Sequence, residues 1–174
     1  MPATSDLHWY VVYTKPRSEK KLTESLNKLG ISNYLPLLRK RKKWSDRHKW
    51  IEEPIFSSYV FVQIEFERQS LNVLKIPQAV SFVMTGSQPA IISDTDLEIL
   101  RISLENFAES LSVKDTSQLI EGLKVRIHEG PFAGRDAVIE RIHGKTLVLV
   151  AFPALSKSVQ VEISVQQIGR SAIS

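Results

Sequence analysis

The first forty residues change hydrophobic period twice. Trp9-Tyr10-Val11-Val12-Tyr13 is an aromatic and β-branched run that predicts a strand, and Pro16 suits the first turn of a following helix. Leu22, Leu26 and Leu29 then recur at i, i+4 and i+7, one apolar stripe on a helix, and Gly30 supplies its stop. Ile31 to Leu35 predicts a short strand ended by Pro36. Arg39 to Lys43 has no apolar period, which predicts a loop or the arm of a hairpin. Trp50 to Phe56 and Ser58 to Ile64 read as strands, the second centred on Tyr59-Val60-Phe61-Val62. Val80 to Met84 is another, closed by the turn signal Thr85-Gly86-Ser87. Ser93-Asp94-Thr95-Asp96 resembles a capping box that opens a helix with Leu97, Leu100 and Leu104 on one face.

From Leu111 to Glu121 the chain is polar and has no aromatic anchor, as expected of a linker. Beyond Gly122 the pattern becomes short strands: Lys124 to His128, Ala137 to Ile142, Thr146 to Phe152 and Val159 to Ile163. His143-Gly144-Lys145 has the form of a tight hairpin turn. About 50 residues of short strands argue for a small β-barrel. The fold expected is therefore α+β. An amino-terminal antiparallel or mixed sheet with flanking helices spans residues 7–110, a linker 111–121, and a carboxyl-terminal barrel 122–170.

A length of 174 residues fits one large or two small domains. The absence of Cys excludes disulfides, thiolate metal sites and a Cys nucleophile, which suits a reducing compartment. No apolar run is long enough to span a bilayer and no signal peptide is recognisable, so a cytoplasmic location without membrane partners is expected. His8, His48, His128 and His143 are scattered, without metal-ligand spacing, and no Gly-rich phosphate loop or nucleophile elbow occurs. No enzymatic role, metal or cofactor is expected.

Charge is polarised along the chain. Residues 1–50 carry 12 Lys/Arg against 4 Asp/Glu, and residues 51–110 carry 3 against 9. A basic region beside an acidic one suits polyanion steering with limited non-specific binding. Two basic clusters stand out. Lys15, Arg17, Lys20 and Lys21 sit where the first strand meets the first helix. Arg39, Lys40, Arg41, Lys42 and Lys43 form the second, with Arg47, Lys49, Trp44 and Trp50 close by as candidate stacking platforms.

Gly122-x-x-Val125-Arg126-Ile127-x-x-Gly130-Pro131-Phe132-Ala133-Gly134 is the most specific motif. Gly130-Pro131 sets a turn at a strand end, Phe132 can plug a small barrel, and Gly134 permits positive φ. Its arrangement resembles the KOW motif of transcription and ribosomal proteins. The stretches WYVVYTKPRSEKKL, NYLPL and EEPIFSSYVFV follow in the order seen in the NusG family, so the resemblance covers almost the whole chain. Together with WSDRHKW it looks closest to the specialised paralogues of the UpxY and RfaH type. Where that family usually has Pro-Gly or Pro-Asn before the Tyr, this chain has Ser57-Ser58, and Ala137 replaces a motif glycine.

The resemblance implies a transcription elongation or antitermination factor, acting on specific operons, that suppresses pausing or termination. Trp9, Tyr13, Phe56, Tyr59 and Phe61 match the surface that docks on the clamp helices of RNA polymerase. Tyr59 and Phe61 share one strand face. Lys15 and Lys21 match basic positions that meet exposed non-template DNA in the RfaH type; Arg17, Lys20 and the tract Arg39 to Lys43 are read with them as nucleic-acid-binding from their own charge, a solvated face or arm being the other reading of these clusters. Gly130, Pro131, Phe132 and Gly134 belong to the KOW motif, and Phe152 matches the rim that in this family meets NusE, a ribosomal protein. A ribosome-associated RNA-binding protein using the barrel is the alternative reading.

Overall fold

The computed structural model describes residues 7–115, 123–127, 132–142 and 145–162. The chain divides into two compact units, Met1–Leu38 with Glu52–Leu97, and Arg39–Ile51 with Glu98–Ser174. Among the described residues no helix is long and apolar enough to cross a membrane.

The first unit is built round β1 (Leu7–Thr14), which pairs antiparallel with β5 (Tyr59–Glu65) on one side. On its other side it pairs with β9 (Ile91–Ile92) near its start and β6 (Ala79–Phe82) near its end. The two-residue strand β2 (Asn33–Tyr34) extends the sheet beyond β5. With both edges paired, β1 satisfies its backbone within the sheet, and Tyr10, Val11 and Val12 are all buried. Tyr10, Val12, Val60, Val62 and Ile64 join Leu22, Leu26 and Val73 in one core cluster.

Helix α1 (Glu19–Lys28) starts later than Pro16 suggests. Pro16 and Arg17 lie in a turn closed by the Ser18 N–H to the Lys15 carbonyl at 3.1 Å. At its other end Gly30 adopts φ +68°, the Gly30 N–H reaches the Asn27 carbonyl, and the Ile31 N–H reaches Leu26. That is a Schellman cap, with buried Ile31 folded back beside Leu26. Leu22 and Leu26 are fully buried, whereas Leu29, at the cap, is exposed.

Helix α2 (Phe66–Leu74) is not predicted from the sequence. Phe66 packs against the core cluster and Val73, seven residues on, is buried on the same face, but the positions between them on that face are the polar Gln69 and Ser70, while Leu71 is 69% exposed. Its start is fixed locally by the Glu65 N–H donating to the Gln69 side chain at 2.9 Å. The strand expected over Val80 to Met84 divides at Val83, whose N–H bonds Val11. Met84–Thr85 (β7) and Gln88–Pro89 (β8) form a two-residue hairpin with Gly86 at φ +63°. Helix α3 (Asp94–Asn106) opens on the capping box: Asp96 N–H donates to Ser93 Oγ at 3.0 Å, and the hydroxyl donates to the Asp96 carboxylate at 2.8 Å. Leu97 and Leu100 are buried and Leu104 half-buried.

The basic tract lies on a hairpin, β3 (Leu37–Lys43) and β4 (His48–Pro54). The Trp44 N–H closes it on the Arg47 carbonyl at 2.8 Å. β4 therefore begins and ends two residues earlier than the expected Trp50 to Phe56, because Ile55 turns away to bond Pro36 and Phe56 enters the core.

In the second unit five antiparallel strands run in the order β10-β14-β13-β12-β11. They span Ser112–Asp115 (β10), Leu123–Arg126 (β11), Asp136–Ile142 (β12), Lys145–Phe152 (β13) and Lys157–Glu162 (β14). β10 falls in the segment expected to be linker. Buried Leu111 and the Ser110 hydroxyl, which accepts the Glu162 N–H at 3.1 Å, anchor its approach to β14. Successive residues Val148 to Val150 and Ser158 to Val161 are all buried, so both faces of the sheet are covered there. Phe132 is buried and stacks on Phe107 with centroids 5.5 Å apart, and Gly134 adopts φ +81° with its N–H on the Ile127 carbonyl. Gly130, Pro131 and the expected turn at His143-Gly144 lie outside the described residues.

Candidate functional site

Period two and the β1–β5 register divide the first sheet into two faces. Val12 lies opposite Val60 and Tyr10 opposite Val62, all in the helix-packed core. The alternate positions put Tyr13 opposite Tyr59, Val11 opposite Phe61 and Trp9 opposite Gln63 on the other face. Four of the five residues expected to meet polymerase are thus brought together by strand register. The fifth, Phe56, joins them from the loop before β5: its ring lies 6.3 Å from Phe61, edge to face. Tyr34 approaches Phe61 from the other side at 6.2 Å.

Accessibility separates these residues. Phe56 and Phe61 are closed off from solvent, while Tyr13 is 42% exposed and Tyr59 half-buried. The two tyrosine rings meet edge to face at 6.0 Å. In this conformation the phenylalanines form a floor and the tyrosines its accessible rim. Trp9 is half-buried, and its Nε1 donates to Asp94 Oδ1 at 3.0 Å.

The loop that delivers Tyr59 is held by Glu19, a residue sequence reasoning did not single out. Its carboxylate is buried and accepts the Ser58 N–H at 2.7 Å, while the Ser58 carbonyl accepts the Thr14 N–H at 2.8 Å. Ser58 adopts φ +63°. The left-handed region favours Gly or Asn, and Ser here bears a steric cost. Glu19, one of two glutamates among the lysines of α1, gave no sequence signal for this role.

Lys15, Arg17, Lys20 and Lys21 are all exposed around the β1–α1 junction, with Arg17 at φ +57°. Arg17 and Lys20 line a cleft of about 430 Å³ together with Glu19, Pro54, Ser57 and Ser58, and Lys15 and Lys21 lie outside that lining. Arg39, Lys40, Arg41, Lys42 and Lys43 are exposed along β3, and the Arg39 guanidinium sits 4.8 Å from the Trp50 ring centroid. Phe152, the expected rim residue, is closed off from solvent in the core of the second sheet. Among the described residues no group of His, Asp and Glu could hold a metal ion.

A family model described as "Transcription termination factor nusG" matches residues 7–101, more than half of the chain. The chain belongs to the NusG family. Among its relatives, the NusG transcription termination/antitermination protein of Pseudomonas aeruginosa is 27% identical over 173 residues, covering 92% of this chain and 96% of the relative. That of Vibrio vulnificus is 24% identical over 172 residues, covering 92% and 93%. A solved structure of Thermotoga maritima NusG, 23% identical, aligns over 93% of this chain and 96% of its own with a TM-score of 0.55. The family model ends before the second sheet, and these full-length alignments extend the NusG likeness across both units. This NusG-family chain is a transcription termination/antitermination factor by its kinship.

Proposed function

We propose that this protein is an elongation and antitermination factor that binds the clamp helices of RNA polymerase through the Tyr13–Tyr59 rim of its first sheet, and that it acts on specific operons. The observation that carries the reading is the register pair itself. Two tyrosines share an aromatic face whose floor is already buried, and they keep accessible area and polar tips for a partner. Aromatic side chains in such positions dominate binding because they bury large area at small entropic cost.

Lys15, Arg17, Lys20 and Lys21, with Arg39 to Lys43 on the hairpin, supply charge for the exposed non-template DNA strand. These contacts hold the factor on the elongation complex, and pausing and termination are suppressed while the clamp is held. The second unit, with its KOW-type turn at Phe132 to Gly134, recruits a further partner such as NusE on the ribosome.

Tyr59→Ala tests the reading. Equilibrium binding to core RNA polymerase is expected to weaken by about 5- to 150-fold, the range of an aromatic hot-spot truncation. Circular dichroism confirms that the variant remains folded. Unchanged affinity removes the rim from the interface.

A further inference from the structure

Helices α1 and α2 pack on the Tyr10–Val12 face of the first sheet, opposite the tyrosine rim, and a groove opens between their C-terminal ends. It has a volume of about 520 Å³ and lies wholly within the first unit. That volume is in the range of small-molecule sites. Its floor is apolar: Ile31 and Ile76 are buried, and Leu29 and Pro77, both exposed, carry the apolar surface out to solvent.

The polar groups around that floor are chiefly donors. Lys28 and Lys75 stand at the ends of the two helices, and no Asp or Glu lines the groove. Each helix end carries about half a negative charge, so the two ammonium groups leave the groove net positive. Neither lysine side chain has an ion-pair or hydrogen-bond partner among the described residues. Gln69 Oε1 accepts the Glu65 N–H at 2.9 Å, which leaves its amide NH₂ to donate, and the Asn72 amide has no partner among the described residues.

We propose that this groove binds a small amphiphilic anion, a carboxylate or sulfonate carried on an aliphatic or aromatic body. The body covers Leu29, Ile31, Ile76 and Pro77, while the anionic head meets the two ammonium groups, with the Gln69 and Asn72 amides as neutral donors. A neutral apolar molecule leaves these donors unused, and a nucleic-acid backbone leaves the apolar floor in water. Only a ligand with both parts matches the whole lining. The site stands on the face of the sheet opposite Tyr13 and Tyr59, so it does not rest on the clamp-helix reading.

The probe is the aromatic sulfonate 1-anilinonaphthalene-8-sulfonate, titrated into the full-length protein without polymerase. Its emission is expected to rise on binding, and dodecanoate below its micelle concentration to displace it far more effectively than dodecyltrimethylammonium, which has the same chain and the opposite charge. Lys28→Glu and Lys75→Glu, tested separately, are each expected to weaken dye binding about 3- to 10-fold, since reversal removes one exposed charge pair and adds a repulsion of like size. Ser25→Phe fills the groove from α1 without changing its charge and is expected to weaken binding about tenfold or more. Circular dichroism checks that each variant is folded, and the two lysines are exposed, so their variants decide the matter even where Phe at position 25 disturbs α1. Equal displacement by the two amphiphiles, or unchanged dye affinity in the lysine variants, overturns the inference. Displacement of the dye by oligo(dT) that either lysine variant abolishes assigns the groove to nucleic acid and overturns it equally. Because no polymerase is present, this outcome is read separately from that of the Tyr59 variant.

Discussion

Glu19 Oε1 and the backbone N–H of Ser58 lie 2.7 Å apart across the start of α1 and the loop before β5, thirty-nine positions distant in sequence. The bond satisfies a buried carboxylate oxygen and fixes a residue at φ +63° immediately before Tyr59. Ser57-Ser58 stands where the resemblance leads one to expect Pro-Gly or Pro-Asn, and the observed φ gives the physical reason for that usual residue choice.

Glu19→Ala is expected to lower the stability of the first unit by about 1.5 to 3 kcal/mol, the worth of a hydrogen bond to a charged group. Glu19→Gln keeps an acceptor and is expected to lose less. Urea midpoints of the two variants check this, and an Ala variant as stable as wild type would show the bond to be incidental.

Replacing Lys15 and Lys21 by Ala is expected to flatten the salt dependence of binding to the non-template strand of an elongation scaffold. Each lost phosphate contact reduces the slope of log affinity against log salt by about 0.7 for a single strand. Two contacts give roughly 1 to 1.5, with similar loss for every sequence. Parallel slopes for variant and wild type would return these lysines to a purely solvated role.

A fragment of residues 107–174 is expected to give a dispersed, strand-rich NMR spectrum. A fragment beginning at Glu121 lacks β10, buried Leu111 and the Phe107 ring that stacks on Phe132. It is expected to be measurably less stable in urea. Equal stability of the two fragments would show that β10 adds nothing to the second sheet.

Gly134→Ala isolates a backbone effect. A Cβ at Gly134 meets nothing within 4 Å, so the cost arises from φ +81° alone. About 1 to 2 kcal/mol of destabilisation is expected for the second unit, measured by the shift of its denaturation midpoint. A shift within error would mean that the turn relaxes to accept Ala.

Local chemistry made many elements legible. Gly30 as a helix stop, the Ser93 capping box, the turn at Gly86 and the positive φ of Gly134 each depend on residues close in sequence, and each is present. The aromatic and β-branched runs of β1 and β5 were equally plain, and period two alone put Tyr59 and Phe61 on one face. Helix α2 was missed because polar Gln69 and Ser70 stand between Phe66 and Val73 on its core face and thin the apolar signal, and β10 was missed because its polar residues pair with β14 through the backbone.

By itself the sequence determined the kinship, the secondary-structure signals and the residue types available for binding, since these follow from short-range spacing and composition. Only the tertiary structure decided which of those residues are accessible. Phe61 and Tyr59 alternate identically along β5, yet one is closed beneath Phe56 and Tyr34 while the other meets Tyr13 at the surface. Glu19 and Ser58 likewise met only on folding. Period two fixes the side of a sheet on which a side chain stands; what covers that side is fixed by segments distant in sequence, and burial is a property of those long-range neighbours.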